Sequence, residues 1–356
     1  MTWPASAEQY NSRLIRTPRL VYLQYVRAAA ALAVMLYHVS FYTDTNAGFG
    51  EPLTLFTEKF GYYGVVAFFV LSGYLMSALI QETSVIRFLA HRFLRIYPAY
   101  WLCSGFLYAA RFAAHHPQSF SLAPLLLPIT LTHAPLGIEW TLVYEVAYYV
   151  ITASFCLPVL RRLHAPFLVA WLGVCLAVYC ISYRFASYYP PDFAHIATSM
   201  WNIPFLLGGL SYYALPLVRP GVRWGLTGAA LLLMSDTYGI EGRVILAPAG
   251  MVLAVMYLVE RNQQETDIAV NEPLLALGNY SYGLYLVHAR VAIFVTAYLV
   301  RIHPGQGYLI WLTTFGLCLA AGCLAGAVDV WLYARLKRFA DYRLRNTQPV
   351  NAPVVA

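Results

Sequence analysis

Charge is what this sequence has least of. Only 11% of its 356 residues are Asp, Glu, Lys or Arg, against about 25% in a soluble domain. So thin a polar supply cannot cover a water-facing surface, which excludes a soluble globular protein. Acids are the scarcer sign: 16 Asp and Glu stand against 23 Lys and Arg, for a net charge of +7. In a soluble protein that excess would suggest nucleic acid; with 60% hydrophobic residues and a mean hydropathy of +0.59 it does not. Paired cysteines are missing as well. Cys103, Cys156, Cys175, Cys180, Cys318 and Cys323 all lie in apolar stretches. None forms a Cys-x-x-Cys pair or stands with histidine at ligand spacing, so neither a disulfide framework nor a metal site is expected, and all six read as small core residues. No internal repeat or low-complexity segment is visible, and a repeat is what many transporters are built on.

Long apolar runs are abundant. Against a requirement of about 20 residues per crossing, spans are expected at Val21–Tyr42, Tyr62–Ile80, Ile96–Ala113, Glu139–Leu160 and Pro166–Tyr183. Five more are expected at Ser199–Val218, Trp224–Tyr238, Val244–Val259, Tyr280–Val300 and Gly307–Ala334. Leu122–Leu136 is shorter and broken by Pro124, Pro128 and Pro135, and reads as a re-entrant or interfacial piece. The first run follows Arg13, Arg16 and Arg19 and is too long for a cleaved signal core, so it reads as a retained helix.

Ten crossings place both ends on one side. With a cytoplasmic N-terminus, 16 Lys and Arg fall in inside segments and only Lys59 and Arg243 in outside loops. That is the asymmetry of the positive-inside rule. The expected architecture is all-α: a polytopic membrane protein of about ten helices with both termini cytoplasmic. Residues 1–340 form one transmembrane domain and 341–356 a short cytoplasmic tail.

A few ionisable groups sit inside the apolar runs, where each is costly. Arg27 and His38 are eleven residues apart, about 20° from three full turns, so they share a helix face and are separated by roughly 16 Å. Arg27 lies toward the cytoplasmic mouth and His38 toward the outer one. Singly, each is also explained as a snorkelling anchor and an interhelical hydrogen-bonding group; alignment on one face favours function. The alanines between them, Ala30 and Ala31 included, are expected to leave room along that face for a slender ligand. Arg92 and Arg95 share a helical face on the cytoplasmic side. Positive-inside bias accounts for such a pair, and so does a fork-shaped phosphate clamp with Arg27 at similar depth. Glu145 is expected near the depth of His38, where a carboxylate could orient the imidazole; a structural pairing with Arg111 or a tyrosine is the other reading. Glu139 is expected at the solvated boundary. Ser72 and Gly73 would let helices approach closely, and His288 and Arg290 are expected in the cytoplasmic third of the ninth span.

Taken in order, these stretches resemble the acyltransferase 3 family of bacterial membrane-bound O-acyltransferases, its exopolysaccharide-modifying branch above all. Arg27 and His38 match its arginine-ten-histidine pattern, and Arg92 and Arg95 its Arg-x-x-Arg. Trp140, Thr141, Leu142 and Glu145 match its Trp-Ser/Thr-Leu-x-x-Glu. Phe68–Gly73 and Ser281–His288 match two further stretches. The chain departs at Val66, where many members carry an acid, and the hydrolase-like extension found in some is not expected here. The resemblance implies transfer of an acyl group, usually acetyl, from cytosolic acyl-CoA to a carbohydrate hydroxyl at the outer side of the bacterial inner membrane. It implies no bound cofactor and no metal: acetyl-CoA is a donor substrate, and a polysaccharide or lipid-linked oligosaccharide the acceptor. His38 and Glu145 would be catalytic, His38 either as general base on the acceptor hydroxyl or as covalent carrier of the acyl group, and Arg27, Arg92 and Arg95 would bind acyl-CoA. Trp140, Thr141, Ser72 and His288 would support the site. The main rival reading is a transporter or flippase for a polysaccharide or its lipid carrier, with Arg27 and His38 lining the path; a second is a non-catalytic sensor or scaffold, which has no need of an arginine clamp.

Overall fold

The computed structural model describes residues 20–48, 59–113, 138–182, 193–218, 220–239, 242–265 and 268–346. Arg13, Arg16, Arg19 and the Leu122–Leu136 segment lie outside these residues. Ten helices of 13 residues or more occur among them: α1 (Val21–Ala47), α2 (Lys59–Ile80), α3 (Val85–Ala113), α4 (Trp140–Ala153) and α5 (His164–Ser182). The chain continues through α6 (Asn202–Ala214), α7 (Val222–Met234), α8 (Ala247–Gln264), α9 (Glu272–Ile302) and α10 (Gly307–Asn346). They coincide in order with the ten expected spans. Six regions, corresponding to α1, α2, α5, α8, α9 and α10, are long and apolar enough to cross a membrane. The protein is an all-helical, multi-pass membrane protein. α4, α6 and α7 are only 13 or 14 residues long.

Local sequence sets the ends that matter. α1 stops at Gly48, whose φ of 61° is left-handed and whose N–H donates to Asp44 O. α9 starts earlier than the apolar run alone indicates. Asn271 caps it by accepting the N–H of Leu274 at 3.0 Å, with Glu272 and Pro273 in the first turn. Helix α10 is continuous through residue 340, the expected limit of the domain.

In lipid, burial of apolar area does not by itself drive helices together, so close backbone approach and interlocking side chains must. A Cβ on Gly73 would lie 2.0 Å from Phe205 O, and one on Gly208 would lie 2.2 Å from Val70 O. The α2–α6 pair is therefore glycine-dependent on both sides, as expected of the Ser72-Gly73 step. Gly283 on α9 and Gly326 on α10 face each other in the same way. Aromatic stacking fills the space beside these contacts: Phe69 lies on Phe205 with ring centroids 4.1 Å apart, and Tyr148 on Phe205 at 4.9 Å.

Contacts fix helix direction. Gln24 meets Gly278, His38 meets His288 and Asn46 meets Thr296, so α1 and α9 run parallel. Gly61 meets Tyr37 and Gly64 meets Ala30, so α1 and α2 run antiparallel. α9 and α10 are likewise antiparallel, as are α3 and α10, through Gly322–Leu284 and the Arg95–Asp329 and His91–Asp341 pairs. These helices alternate as odd and even crossings must.

Several expectations need correcting. The cysteines are free thiols but not uniformly core: Cys156, Cys175 and Cys318 are buried, while Cys180 is exposed. Ala30 and Ala31 are buried in packing, Ala30 O beneath Gly64 and Ala31 against Met35 and Leu284. They line neither of the two cavities that Arg27 borders. Val66 is fully buried in an apolar cluster with Leu23 and Val70, a setting that suits valine and would penalise an acid.

Candidate active site

The parallel packing of α1 and α9 brings two histidines together. His38 stands seventeen residues after Val21 and His288 sixteen after Glu272, so both reach the same level. Nε2 of His288 is 3.1 Å from Nδ1 of His38, and the ring centroids are 4.9 Å apart. His288 is fully buried. The cytoplasmic-third placement of His288 is thereby overturned: it rested on starting the helix at Tyr280, eight residues too late.

Protons in this pair follow from its partners. Nδ1 of His288 faces Leu284 O at 3.1 Å, and Nδ1 of His38 faces Val34 O at 3.0 Å. A carbonyl only accepts, so each Nδ1 carries a proton. In the neutral pair, Nε2 of His288 accepts from His38 Nδ1–H. Nε2 of His38 keeps its lone pair and makes no hydrogen bond among the described residues.

The arginines gather one level deeper. Arg27, Arg92 and Arg95 line a chamber of about 120 Å³ together with Ser72, Thr141, Glu145 and Tyr285. The same three arginines also line a second cavity of about 460 Å³, bounded by Leu20, Leu79, Asn279 and Tyr333. They therefore form the neck between a wide vestibule, opening where α1 begins and α2 ends, and a narrow inner chamber. Arg95 is ion-paired with the buried Asp329 at 2.7 Å and lies over Tyr282 at 5.1 Å. Arg92 lies over the Tyr149 ring at 5.7 Å. Arg27 is within electrostatic range of Arg95, Glu145 and Asp329. The three guanidinium groups thus face two carboxylates, which leaves positive charge for an anionic guest.

Glu145 belongs to this cluster and not to His38. Its Oε1 accepts from Tyr149 Oη and, at 3.4 Å, from Ser72 Oγ. The reason is where α4 begins. Trp140 does not mark the outer surface: Ile138 and Glu139 are 2% and 1% exposed. Thr141 Oγ1 is 2.6 Å from Tyr285 Oη, only three residues before His288 on α9. The helix starts at mid-depth, and one turn further Glu145 is already at the arginine level. Glu139, expected in solvent, is buried.

Tyr285 and Phe68 close the chamber on the histidine side. Their rings are 6.0 Å apart, and the Tyr285 ring is 5.7 Å from that of His288. Thr141 and Ser72 therefore touch the site, whereas Trp140 packs against Trp201 at 4.7 Å in an aromatic cluster beside it. Asp329 had a visible signal that passed unused: it is the lone charged residue in the run Gly307–Ala334. Tyr282 and Tyr285 lie in the matched stretch Ser281–His288 but were given no role, and Tyr149 had no signal among 29 tyrosines.

A stretch of 116 residues is 31% identical to the exopolysaccharide production protein ExoZ of Rhizobium meliloti (strain 1021), covering 27% of this chain and 37% of that protein. The chain thus matches well under half the length of this relative. No solved structure matches. The model of a family described as "Acyltransferase domain" matches residues 20–329, which include the arginine neck, the histidine pair and Asp329. The chain belongs to that acyltransferase family.

Proposed function

We propose that this protein moves an acyl group, most simply acetyl, from cytosolic acyl-CoA to a hydroxyl of an exopolysaccharide or related envelope glycan at the outer side of the bacterial inner membrane. The observation that carries this reading is the arginine neck. Three guanidinium groups joining a wide vestibule to a narrow chamber suit a donor with a polyanionic body and a thin reactive arm. The family supports acyl transfer, and the likeness to a protein named for exopolysaccharide production supports a glycan acceptor.

Arg27, Arg92 and Arg95 hold the donor's phosphates by charge-assisted hydrogen bonds. The pantetheine arm extends past Ser72 and Glu145 toward Tyr285. His38 Nε2, fixed as the unprotonated nitrogen, takes the proton of the acceptor hydroxyl as that oxygen attacks the thioester carbonyl. The C–O bond forms, the C–S bond breaks, and the proton passes from His38 to the departing thiolate. The wall formed by Tyr285 and Phe68 must yield for acyl group and histidine to meet. Glu145 acts on the arginine side, balancing charge and holding Tyr149, and does not orient His38.

The test uses purified protein, acetyl-CoA labelled in the acetyl group, and polysaccharide from cells lacking the protein. Transfer of label that disappears in His38→Ala supports the reading. Translocation of the glycan with no label transferred, in the presence of acetyl-CoA, would falsify it in favour of a flippase.

A further inference from the structure

The vestibule differs from the chamber in what it offers a ligand. Its wall is mostly apolar, built from Leu20, Tyr74, Leu75, Met76, Leu79 and Val330, with the arginines at its inner end. Two further polar side chains stand in that wall: Asn279 on α9 and Tyr333 on α10. Tyr333 is tied to the neck, since Arg95 lies 5.6 Å from its ring centroid. Asn279 is half-buried, and its amide makes no hydrogen bond among the described residues. Its donor and acceptor are therefore open to a guest in the vestibule.

Resting on the acyl-CoA reading above, we infer that the vestibule is a base-recognition site: it takes the adenine of the donor, with Asn279 reading its edge and Tyr333 and the apolar wall flanking its face. An asparagine amide presents a donor and an acceptor side by side, the complement of adenine N7 and N6. The volume of about 460 Å³ lies within the range of small-ligand sites, about 300–1,000 Å³. The order of the cavities also agrees with the covalent order of the donor. Base, phosphates and thioester arm follow one another as vestibule, neck and chamber do. This separates the roles of the two cavities: the neck holds charge of any nucleotide, and the vestibule selects which base it carries.

The test compares two donors and two inhibitors. Asn279→Leu is expected to raise KM for acetyl-CoA about tenfold, the loss of one good edge-on pair. KM for acetyl-phosphopantetheine, which has no base, should change less than about twofold. Equal rises for both donors, or none for acetyl-CoA, overturn the inference. Because the variant could fail to fold, the native protein carries a second arm. Adenosine 3′,5′-bisphosphate should inhibit at about a tenth of the concentration needed for guanosine 3′,5′-bisphosphate. Equal inhibition by the two removes base recognition while leaving the acyl-CoA reading intact. A native protein that transfers label from neither donor overturns that parent reading and this inference with it.

Discussion

Nε2 of His288 lies 3.1 Å from Nδ1 of His38, on two parallel helices whose starts are 251 residues apart in the chain, at Val21 and Glu272. The contact makes His288 a positioning residue. It accepts the Nδ1 proton of His38, which leaves the lone pair of that ring on Nε2, the atom a hydroxyl proton must reach.

His288→Leu removes the acceptor and frees the His38 ring to turn. General-base catalysis contributes about 10²- to 10⁴-fold, so a misdirected base is expected to lower kcat by about 100-fold with the donor KM unchanged. His288→Gln retains an oxygen acceptor and should recover part of kcat. Steady-state kinetics on the two variants decides it. If leucine and glutamine are equally impaired, the residue acts through packing alone.

How much of this was readable depends on which signal carried it. Ten apolar runs and the lysine and arginine asymmetry gave the helix order, because span length and side are set by composition. Depth was harder. The run beginning at Tyr280 hid the true start of α9, yet Asn271-Glu272-Pro273 is a capping sequence that places it eight residues earlier. For Glu145 no such cue exists. Its depth depends on α4 beginning in the protein interior after residues 114–137, and a hydropathy reading puts every span end at a surface. The three arginines were found because charge is rare here. Tyr149 was not, since tyrosine is common throughout, and Tyr282 and Tyr285 stood in the matched Ser281–His288 stretch without a role.

Arg92 lines both cavities and carries no ion pair among the described residues. Arg92→Ala is therefore expected to raise the acyl-CoA KM about tenfold, the loss of one charge-assisted contact, with kcat changed much less. The effect should shrink as ionic strength rises, because salt screens the native contact too. Initial rates at two salt concentrations measure both. An unchanged KM removes Arg92 from the clamp.

Gly283 faces the backbone of Gly326, whose N would lie 2.3 Å from a new Cβ, whereas Gly316 on the same helix pair faces open space. Gly283→Val should force α9 and α10 apart, carry His288 with α9, and lower the melting temperature in detergent by several degrees. Gly316→Ala should leave it within about a degree. Thermal unfolding of the detergent-solubilised protein provides the comparison; matching shifts would show that the close approach is not limiting.

Asp329 and Arg95 form the charge pair at the neck, with the carboxylate only 2% exposed. Removing one partner of a buried pair leaves the other uncompensated, at a cost of about 3 kcal/mol. Asp329→Asn is therefore expected to destabilise the protein by about that amount. Replacing both, as Arg95→Leu with Asp329→Leu, should restore most of the stability, because no buried charge is left alone. The double variant should nevertheless bind acyl-CoA poorly, since one of three phosphate-facing guanidinium groups is gone. Stability and donor affinity thus part company in the double variant. That separation distinguishes a neck built to hold an anion from an ion pair kept for folding. A double variant with native acyl-CoA affinity would assign Arg95 to structure and leave Arg27 and Arg92 as the clamp.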